Sequence, residues 1–410
     1  MRAAVVGSAF TLALEPAAAD VVVVNTCSFI QEATEESLST VLTLASVWLP
    51  ARADRALVVA GCLPSRYVHG LAEELPEVAA FLPVAEESSL LATLVRITGY
   101  PAKPNVVGQF TRTAEGSFSY LRISDGCHRS CAYCTIPSIR GPYVSTPLHD
   151  VVAEAKELVA LGAREIVLVG QDITAYGRDL GGGETLADIV SAVAALPGVD
   201  WLRLMYVQPD GITDELLSAI ADNPNVCRYL DVPLQHASKP VLRAMKRSGD
   251  AETFLSLLSR IRSALPDVVL RTTVIAGFPG ETRSDALVLQ GFLRAARFDY
   301  VGVFAYSPEE GTSAASLPKQ VPPRTKRART QKLRDIADEI GFEKAAERVG
   351  HVLEVLVEGK DEDEGFTTGR WRGQAPEIDG YVVLDRGTAG EIVSAKVVDA
   401  FGYDLEGEVT

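Results

Sequence analysis

Three cysteines fall within eight residues, Cys127-His128-Arg129-Ser130-Cys131-Ala132-Tyr133-Cys134, with C-x3-C-x2-C spacing. Thiols this close along the chain are too tight for a disulfide framework, and a 410-residue chain has little need of one. In a cytosolic protein such a run reads as metal-binding or catalytic. Three thiolates can hold three irons of a cubane cluster and leave the fourth iron without a protein ligand. A structural zinc ion would need a fourth ligand to close a tetrahedron. His128 lies inside the run, but its spacing to the cysteines is not a usual zinc arrangement.

The run directly follows a candidate strand, Ser119–Ile123, that heads a regular alternation. Further strands are expected at Glu165–Val169, Trp201–Tyr206, Tyr229–Val232, Val268–Ile275 and Tyr300–Ala305. Helices are expected at Asp150–Leu161, capped by Gly162, and at Thr185–Leu196, Thr213–Ala221, Ser238–Met245, Ala251–Ala264 and Ser284–Ala296. Six βα units with short connections predict a parallel sheet, either doubly wound or a partial barrel, and in both, ligands bind at the C-terminal strand ends.

Two flanking regions differ from this core. Residues 1–105 read as a small α/β domain. Asp20–Val24 and Ala56–Ala60 are continuous apolar runs, expected to be buried parallel strands. Ala33–Ala45 between them carries Leu38, Val41, Leu42 and Ala45 at helical spacing. Pro322–Arg329 opens a basic helical segment, read as a solvated connector. Beyond Gly350 short β segments with glycine turns, among them His351–Val357, Tyr381–Leu384 and Glu391–Val398, predict a small all-β barrel.

The chain carries 39 Lys+Arg against 54 Asp+Glu, a net charge of −15, so it is poorly suited to non-specific binding of nucleic acid or anionic membranes. Residues 351–410 alone hold 14 acidic and 5 basic residues. With no run of about 20 apolar residues and no signal-peptide core at Met1–Val6, a soluble cytoplasmic protein is expected.

The cysteine run with Tyr133 before its last thiol, at the head of a βα series, resembles the radical S-adenosylmethionine superfamily. Nearly the whole chain is similar to the methylthiotransferases of that superfamily. Asn25-Thr26-Cys27 and Gly61-Cys62 match two N-terminal thiols of that family, and 350–410 matches a TRAM-type barrel. The resemblance implies three parts. The first is a small parallel α/β domain at 1–105, incomplete because the family's first strand and its cysteine have no counterpart before Cys27; Ala9–Glu15 resembles the region of its second strand. The second is a partial (β/α)6 radical core at 113–345, and the third a TRAM-like barrel at 346–410. It further implies one 4Fe–4S cluster on Cys127, Cys131 and Cys134, a second on Cys27 and Cys62, and S-adenosylmethionine bound near Tyr133, Gln171, Gln235 and Gly277.

Thr135–Gly141, Tyr229–His236 and Ala375–Gly380 look like the RimO-type branch, which methylthiolates the β-carbon of an aspartate in small-subunit ribosomal protein twelve. The acidic C-terminal barrel complements a basic ribosomal protein and opposes a tRNA phosphate backbone. The implied partners are that protein and a flavodoxin- or ferredoxin-type reductant, with the enzyme a monomer and no membrane involved. A tRNA adenosine methylthiotransferase of the MiaB type and an inactive zinc-binding scaffold descended from the enzyme stay open as alternatives.

Other residues have plainer readings. Gln171 with Asp172, and Gln235 with His236, end the second and fourth strands. Gly277–Thr282 is a turn after the fifth strand, with Glu281 near a helix start. Arg271 pairs with either the cofactor carboxylate or a buried acid. Cys227 is expected to be a buried apolar thiol before the fourth strand, and Asp361–Glu364 a solvated acidic loop or a docking site for a basic partner.

Overall fold

The computed structural model describes residues 1, 5, 8, 10–67, 70–100, 116–361 and 365–410. Ala9 and Glu362–Glu364 of the acidic run lie outside them. The chain forms two compact units. The first comprises Met1–Thr113, Gly126–Tyr143 and Ser307–Ala315; the second comprises Ala114–Asp125, Val144–Tyr306 and Ser316–Thr410.

The first unit is built on three parallel strands in the order β1 (Val21–Thr26), β2 (Ala56–Gly61), β3 (Ala80–Pro83). The central strand is buried on both faces. Leu57 and Val59 face the side held by Val41 and Trp48, and Val58 and Ala60 face Leu82, Leu90 and Leu94. Helix α1 (Gln31–Thr43) buries Thr34, Ser37 and Val41, one helical stripe. The valine run of β1 is only half-buried, contrary to the expectation from composition. Among the described residues it is an edge strand with a neighbour on one side only, and apolarity alone does not report that.

In the second unit six parallel strands lie in strict chain order: β4 (Phe118–Arg122), β5 (Glu165–Val169), β6 (Trp201–Leu204), β7 (Val226–Asp231), β8 (Val269–Ala276) and β9 (Tyr300–Ala305). A doubly wound sheet would reverse order part-way. Sequential order instead winds the sheet one way, so the partial-barrel alternative holds. Helices Leu148–Ala160, Leu186–Ala194, Asp214–Asp222, Ala251–Ala264 and Arg283–Ala296 connect the strands. Their starts are set locally: Thr185 with Asp188, and Thr282 with Asp285, form capping boxes. Cys227 lies within β7, not before it, and is fully buried. Burial pushes its thiol up to about 11.

The basic segment is a 24-residue helix, Pro323–Ala346, that packs on the sheet and does not float in solvent. Leu333, Ile336, Ala337 and Ile340 are buried, and Arg329 and Arg334 reach Glu281 and the Val303 carbonyl. After it, five strands close a barrel: Val352–Lys360, Thr367–Trp371, Val382–Leu384, Ile392–Phe401 and Asp404–Val409. Its core, with Val355, Val357 and Trp371, is continuous with the concave face of the six-stranded sheet at Val167, Trp201, Tyr229 and Val269.

Charge is buried at this junction in ion pairs. Glu165, inaccessible to solvent, lies 2.6 Å from Arg203 Nε and 2.7 Å from Arg370 Nη1, and Arg370 Nε is 2.7 Å from Glu358. Burial pushes the Glu165 carboxyl up, but the two guanidiniums outweigh it and hold the group below the usual range. Tyr229 donates to Asp379, whose carboxylate also meets Arg271 and the Ala375 N–H. Arg271 pairs with Asp231 as well, so its partners are buried acids.

Candidate functional site

The C-x3-C-x2-C run belongs to the first unit, although its flanks belong to the second. Ser124–Asp125 and Val144–Ser145 pair antiparallel, and the chain leaves and returns between them. Within the loop the base is closed by Cys127 N–H donating to the Gly141 carbonyl at 3.4 Å. Gly126 adopts φ +71°, and a Cβ there would stand 2.2 Å from the Pro142 oxygen, so the neck admits only glycine. Arg129 N–H donates to Cys127 Sγ at 3.3 Å, and Cys134 N–H to the Cys131 carbonyl at 3.2 Å, tightening the turn between the last two thiols. Cys127, Cys131 and Cys134 form no disulfide and are half-buried. Tyr133 between them is half-buried too. The Ala132 carbonyl accepts from Ala314 N–H at 2.8 Å, so segment 307–315 straps the loop down.

The two N-terminal thiols emerge from one edge of the three-stranded sheet, because β1 and β2 run parallel in register, Thr26 opposite Gly61. Gly61 has φ +97°, and a Cβ would meet Asn25 Oδ1 and the Thr26 carbonyl at 2.7 Å. That close approach turns the chain sharply into Cys62. Cys27 is exposed and its backbone is held on both sides by the Ser37 hydroxyl. Burial pushes the Cys62 thiol up, the Arg140 guanidinium hydrogen-bonded to it pulls down, and the Cys27 thiol adds to the rise. Arg140 ends the helix Ile136–Arg140 that directly follows the cysteine run, and that helix packs on Cys62–Arg66. Thr135 donates to the Phe29 carbonyl at 3.1 Å. A buried ion pair, Arg66 with Glu309 at 2.9 Å, fixes the strap, and Gln31 N–H donates to the same carboxylate. These five of the six cysteines are thus gathered in one unit.

The remaining sequence-derived residues stand at C-terminal strand ends of the second unit. Gln171 Oε1 is shut off from solvent with no hydrogen-bond partner. Asp172 accepts from the Thr174 hydroxyl at 2.5 Å. Gln235, at φ +70°, is hydrogen-bonded through its backbone to Thr273 and Ile275, extending β7 alongside β8. His236 Nδ1 accepts from Ser238 N–H at 2.9 Å, which places the proton on Nε2. Burial lowers the imidazole to about 4, so it is neutral at pH 7. Glu281 is buried and does more than sit near a helix start. Its carboxylate accepts from Gly277 and Phe278 N–H and pairs with Arg329 at 2.9 Å, so it wires the loop shut. Burial raises its pKa and Arg329 opposes the rise. Arg140, Glu309 and Arg329 were missed by sequence reasoning; each acts across more than 40 positions of chain, where no local pattern could signal it.

Does this donor set fit an iron–sulfur cluster? Four ligands on one zinc ion stand about 3.8 Å apart, and among the described residues no three His, Cys, Asp or Glu side chains are gathered about a single point. Three half-buried thiols outside any disulfide, on one short loop with a closed neck, one receiving an N–H···S bond, are a donor set for the other chemistry. There each thiolate takes its own iron and one corner stays open. The orphaned amide oxygen of Gln171 is a polar group awaiting a partner. On both counts the residues fit.

A one-way wound six-stranded parallel sheet, entered by a C-x3-C-x2-C loop and followed by a small closed barrel, is the architecture of a radical S-adenosylmethionine protein with a TRAM domain. Residues 121–293 match the radical SAM superfamily, 349–410 the TRAM domain, and 1–83 an uncharacterized protein family, UPF0004. The solved structure of a radical S-adenosylmethionine methyltransferase, TsrM from Kitasatospora setae, superposes with TM-score 0.53 at 15% identity, covering 82% of this chain and 68% of that one; the likeness is one of fold. Among curated relatives, the ribosomal protein uS12 methylthiotransferase RimO of Pelobacter propionicus is 43% identical over 95% of this chain and 90% of its own length. That of Geobacter sulfurreducens is 45% identical with the same coverage. The chain belongs to the RimO family of radical SAM methylthiotransferases.

Proposed function

We propose that the protein methylthiolates the β-carbon of an aspartate in ribosomal protein uS12. The observation that carries this reading is the gathering of Cys27, Cys62, Cys127, Cys131 and Cys134 in one compact unit. It supplies thiols for a radical-generating cluster and for a second cluster beside it.

Cys127, Cys131 and Cys134 would hold the first cluster, and Cys27 and Cys62 would take part in holding the second. When bound, a cluster with an open iron supplies the one-electron chemistry that splits the sulfonium of S-adenosylmethionine and opens an unactivated C–H bond. The chain's residues then orient and insulate. Arg129 N–H and Arg140 donate to cluster-binding sulfurs and favour their anionic form. The residues assigned to the cofactor are Tyr133, Gln171, Gln235 and the Gly277 loop. Among them Gln171 Oε1 offers an unused acceptor. His236, neutral and buried, accepts from Ser238 N–H and holds the loop shape. No general base is needed, since an unactivated C–H bond gives a base nothing to work on.

The acidic barrel supports a basic protein substrate over tRNA, since 14 acidic against 5 basic residues would repel a phosphate backbone. We assign the reductant to a flavodoxin- or ferredoxin-type protein and the active form to a monomer. Among the described residues no helix is long and apolar enough to cross a membrane. The test is anaerobic reconstitution, metal analysis and mass spectrometry of uS12 after incubation with S-adenosylmethionine and reductant. A methylthio group on an aspartate β-carbon is expected. Zinc without iron, or modification of tRNA in place of uS12, would overturn the reading.

A further inference from the structure

The concave face of the six-stranded sheet is filled at the strand N-termini by the closed barrel, and its C-terminal half is open. Large side chains stand exposed on that open half: Tyr120 at 38%, Tyr206 at 47% and Phe304 at 50%. Into it reaches the barrel loop between Trp371 and Val382, carrying Ile378, also 50% exposed. The loop is braced from beneath by Asp379, buried and held by Tyr229, Arg271 and its own Ala375 N–H. At its tip Glu377 is exposed and accepts a hydrogen bond from the Tyr120 hydroxyl at 2.8 Å.

Two of these residues adopt the left-handed backbone region, Tyr206 at φ +60° and Glu377 at φ +68°. Such conformations are strained for residues other than glycine and persist where the surroundings impose them, often at ligand sites. The two are linked through one network. Tyr206 N–H donates to Asp231, Asp231 pairs with Arg271, and Arg271 pairs with Asp379 of the loop. Of the described charges facing this surface, Asp231 and Asp379 share one cation, Arg271. Arg122 is taken by Asp125, and Arg370 by Glu165 and Glu358. Among the described residues no Lys or Arg pairs with Glu377. The surface is net negative, ringed by aromatic faces, with one oriented carboxylate at its tip.

We propose that Glu377 reads a cationic side chain of the protein substrate, a Lys or Arg near the modified aspartate, with Tyr120, Tyr206 and Phe304 covering its aliphatic stem. This rests on the reading of the chain as acting on a basic protein. It adds to that reading a residue and a rule: the substrate segment must carry a positive charge beside its target. Tyr120 is a positioning residue that aims the carboxylate.

The test uses reconstituted holoenzyme and short fluorescent peptides holding one aspartate flanked by lysines, by glutamines or by glutamates. The lysine peptide is expected to bind the native protein about threefold to tenfold tighter than the glutamine peptide, the range of a partly exposed charge pair. About 0.5 M salt should erase the preference. Glu377→Gln should lose it, Tyr120→Phe should reduce it, and Glu377→Lys should favour the glutamate peptide. Iron content and circular dichroism check that each variant folds; if Glu377→Gln does not, Tyr120→Phe and Glu377→Lys carry the test. Equal binding of the lysine and glutamine peptides by native protein, or a preference surviving Glu377→Gln, overturns the proposal. Mass spectrometry of full-length uS12 separates the two readings. Modified uS12 with no Glu377-dependent preference sinks this inference alone. Unmodified uS12 with a Glu377-dependent preference sinks the substrate assignment alone.

Discussion

The cysteine loop and the ionic junction beneath the sheet handle polar groups in opposite ways. At the junction, Glu165, Arg203 and Arg370 are wholly buried, and each charge is met by an opposite one within 2.7 Å. In the loop, three thiols stay half-buried and free of disulfides, with backbone hydrogen bonds shaping the turn around them. Buried charges that neutralise each other specify architecture. Half-buried thiols on a pinned loop leave their valence for chemistry. The contrast predicts that damage to the loop removes function and spares the fold, and that damage to the junction does the reverse.

The largest effect should come from Cys131→Ala. Methylthiolation should fall below detection and bound iron should drop by about four per chain, one cubane's worth. The thermal melt of the metal-free protein should hardly move. Iron analysis and calorimetry check this, and a large fall in stability would break the comparison from one side.

From the other side, Arg370→Met leaves Glu165 with one partner and Glu358 with none. Removing one member of a buried ion pair costs about 3–5 kcal/mol. Urea unfolding should register that loss, while iron per folded chain stays at the native level.

A milder effect follows from pH. His236 sits near 4 in the folded chain because burial disfavours its charged form, against about 6.5 when unfolded. Between those values the unfolded chain binds a proton that the folded chain refuses, so stability falls as pH drops from 6.5 toward 4. From pH 7 to pH 5 the loss from this group is about 2 kcal/mol. The difference between native protein and His236→Gln across that pH range isolates it.

The smallest effect sharpens how the junction is partitioned. Tyr229→Phe removes one donor to Asp379, which keeps Arg271 and the Ala375 N–H. A loss of about 1 kcal/mol is expected in the same urea assay. A loss as large as that of Arg370→Met would mean that Asp379 depends on the phenol more than its other partners suggest.

Much of this was legible in the sequence, for local reasons. Glu165–Val169, Tyr300–Ala305 and Ala251–Ala264 were placed to the residue, because β-branched runs and 3.6-residue spacing act over short windows. The thiol spacing stood out because a cluster ligand set must be close along a loop. Other features were not legible. The valine run of β1 read as fully buried, yet edge position halves its burial. The basic helix read as a solvated connector, yet Arg329 and Arg334 are spent on Glu281 and Val303. Arg271 could not be assigned a partner, because Asp379 lies 108 residues away.

The order of residues alone determined the alternation of strands and helices, the position of the three-thiol loop and the acidity of the last 60 residues. Each is a property of neighbours along the chain. Only the tertiary structure decided that the thiol loop packs with the small N-terminal sheet, that Arg140 reaches Cys62, and that a loop of the closed barrel brings Glu377 to Tyr120. Those pairings join residues separated by dozens to hundreds of positions. They are selected by which surfaces can be buried together once the chain has collapsed, and no local pattern encodes that choice.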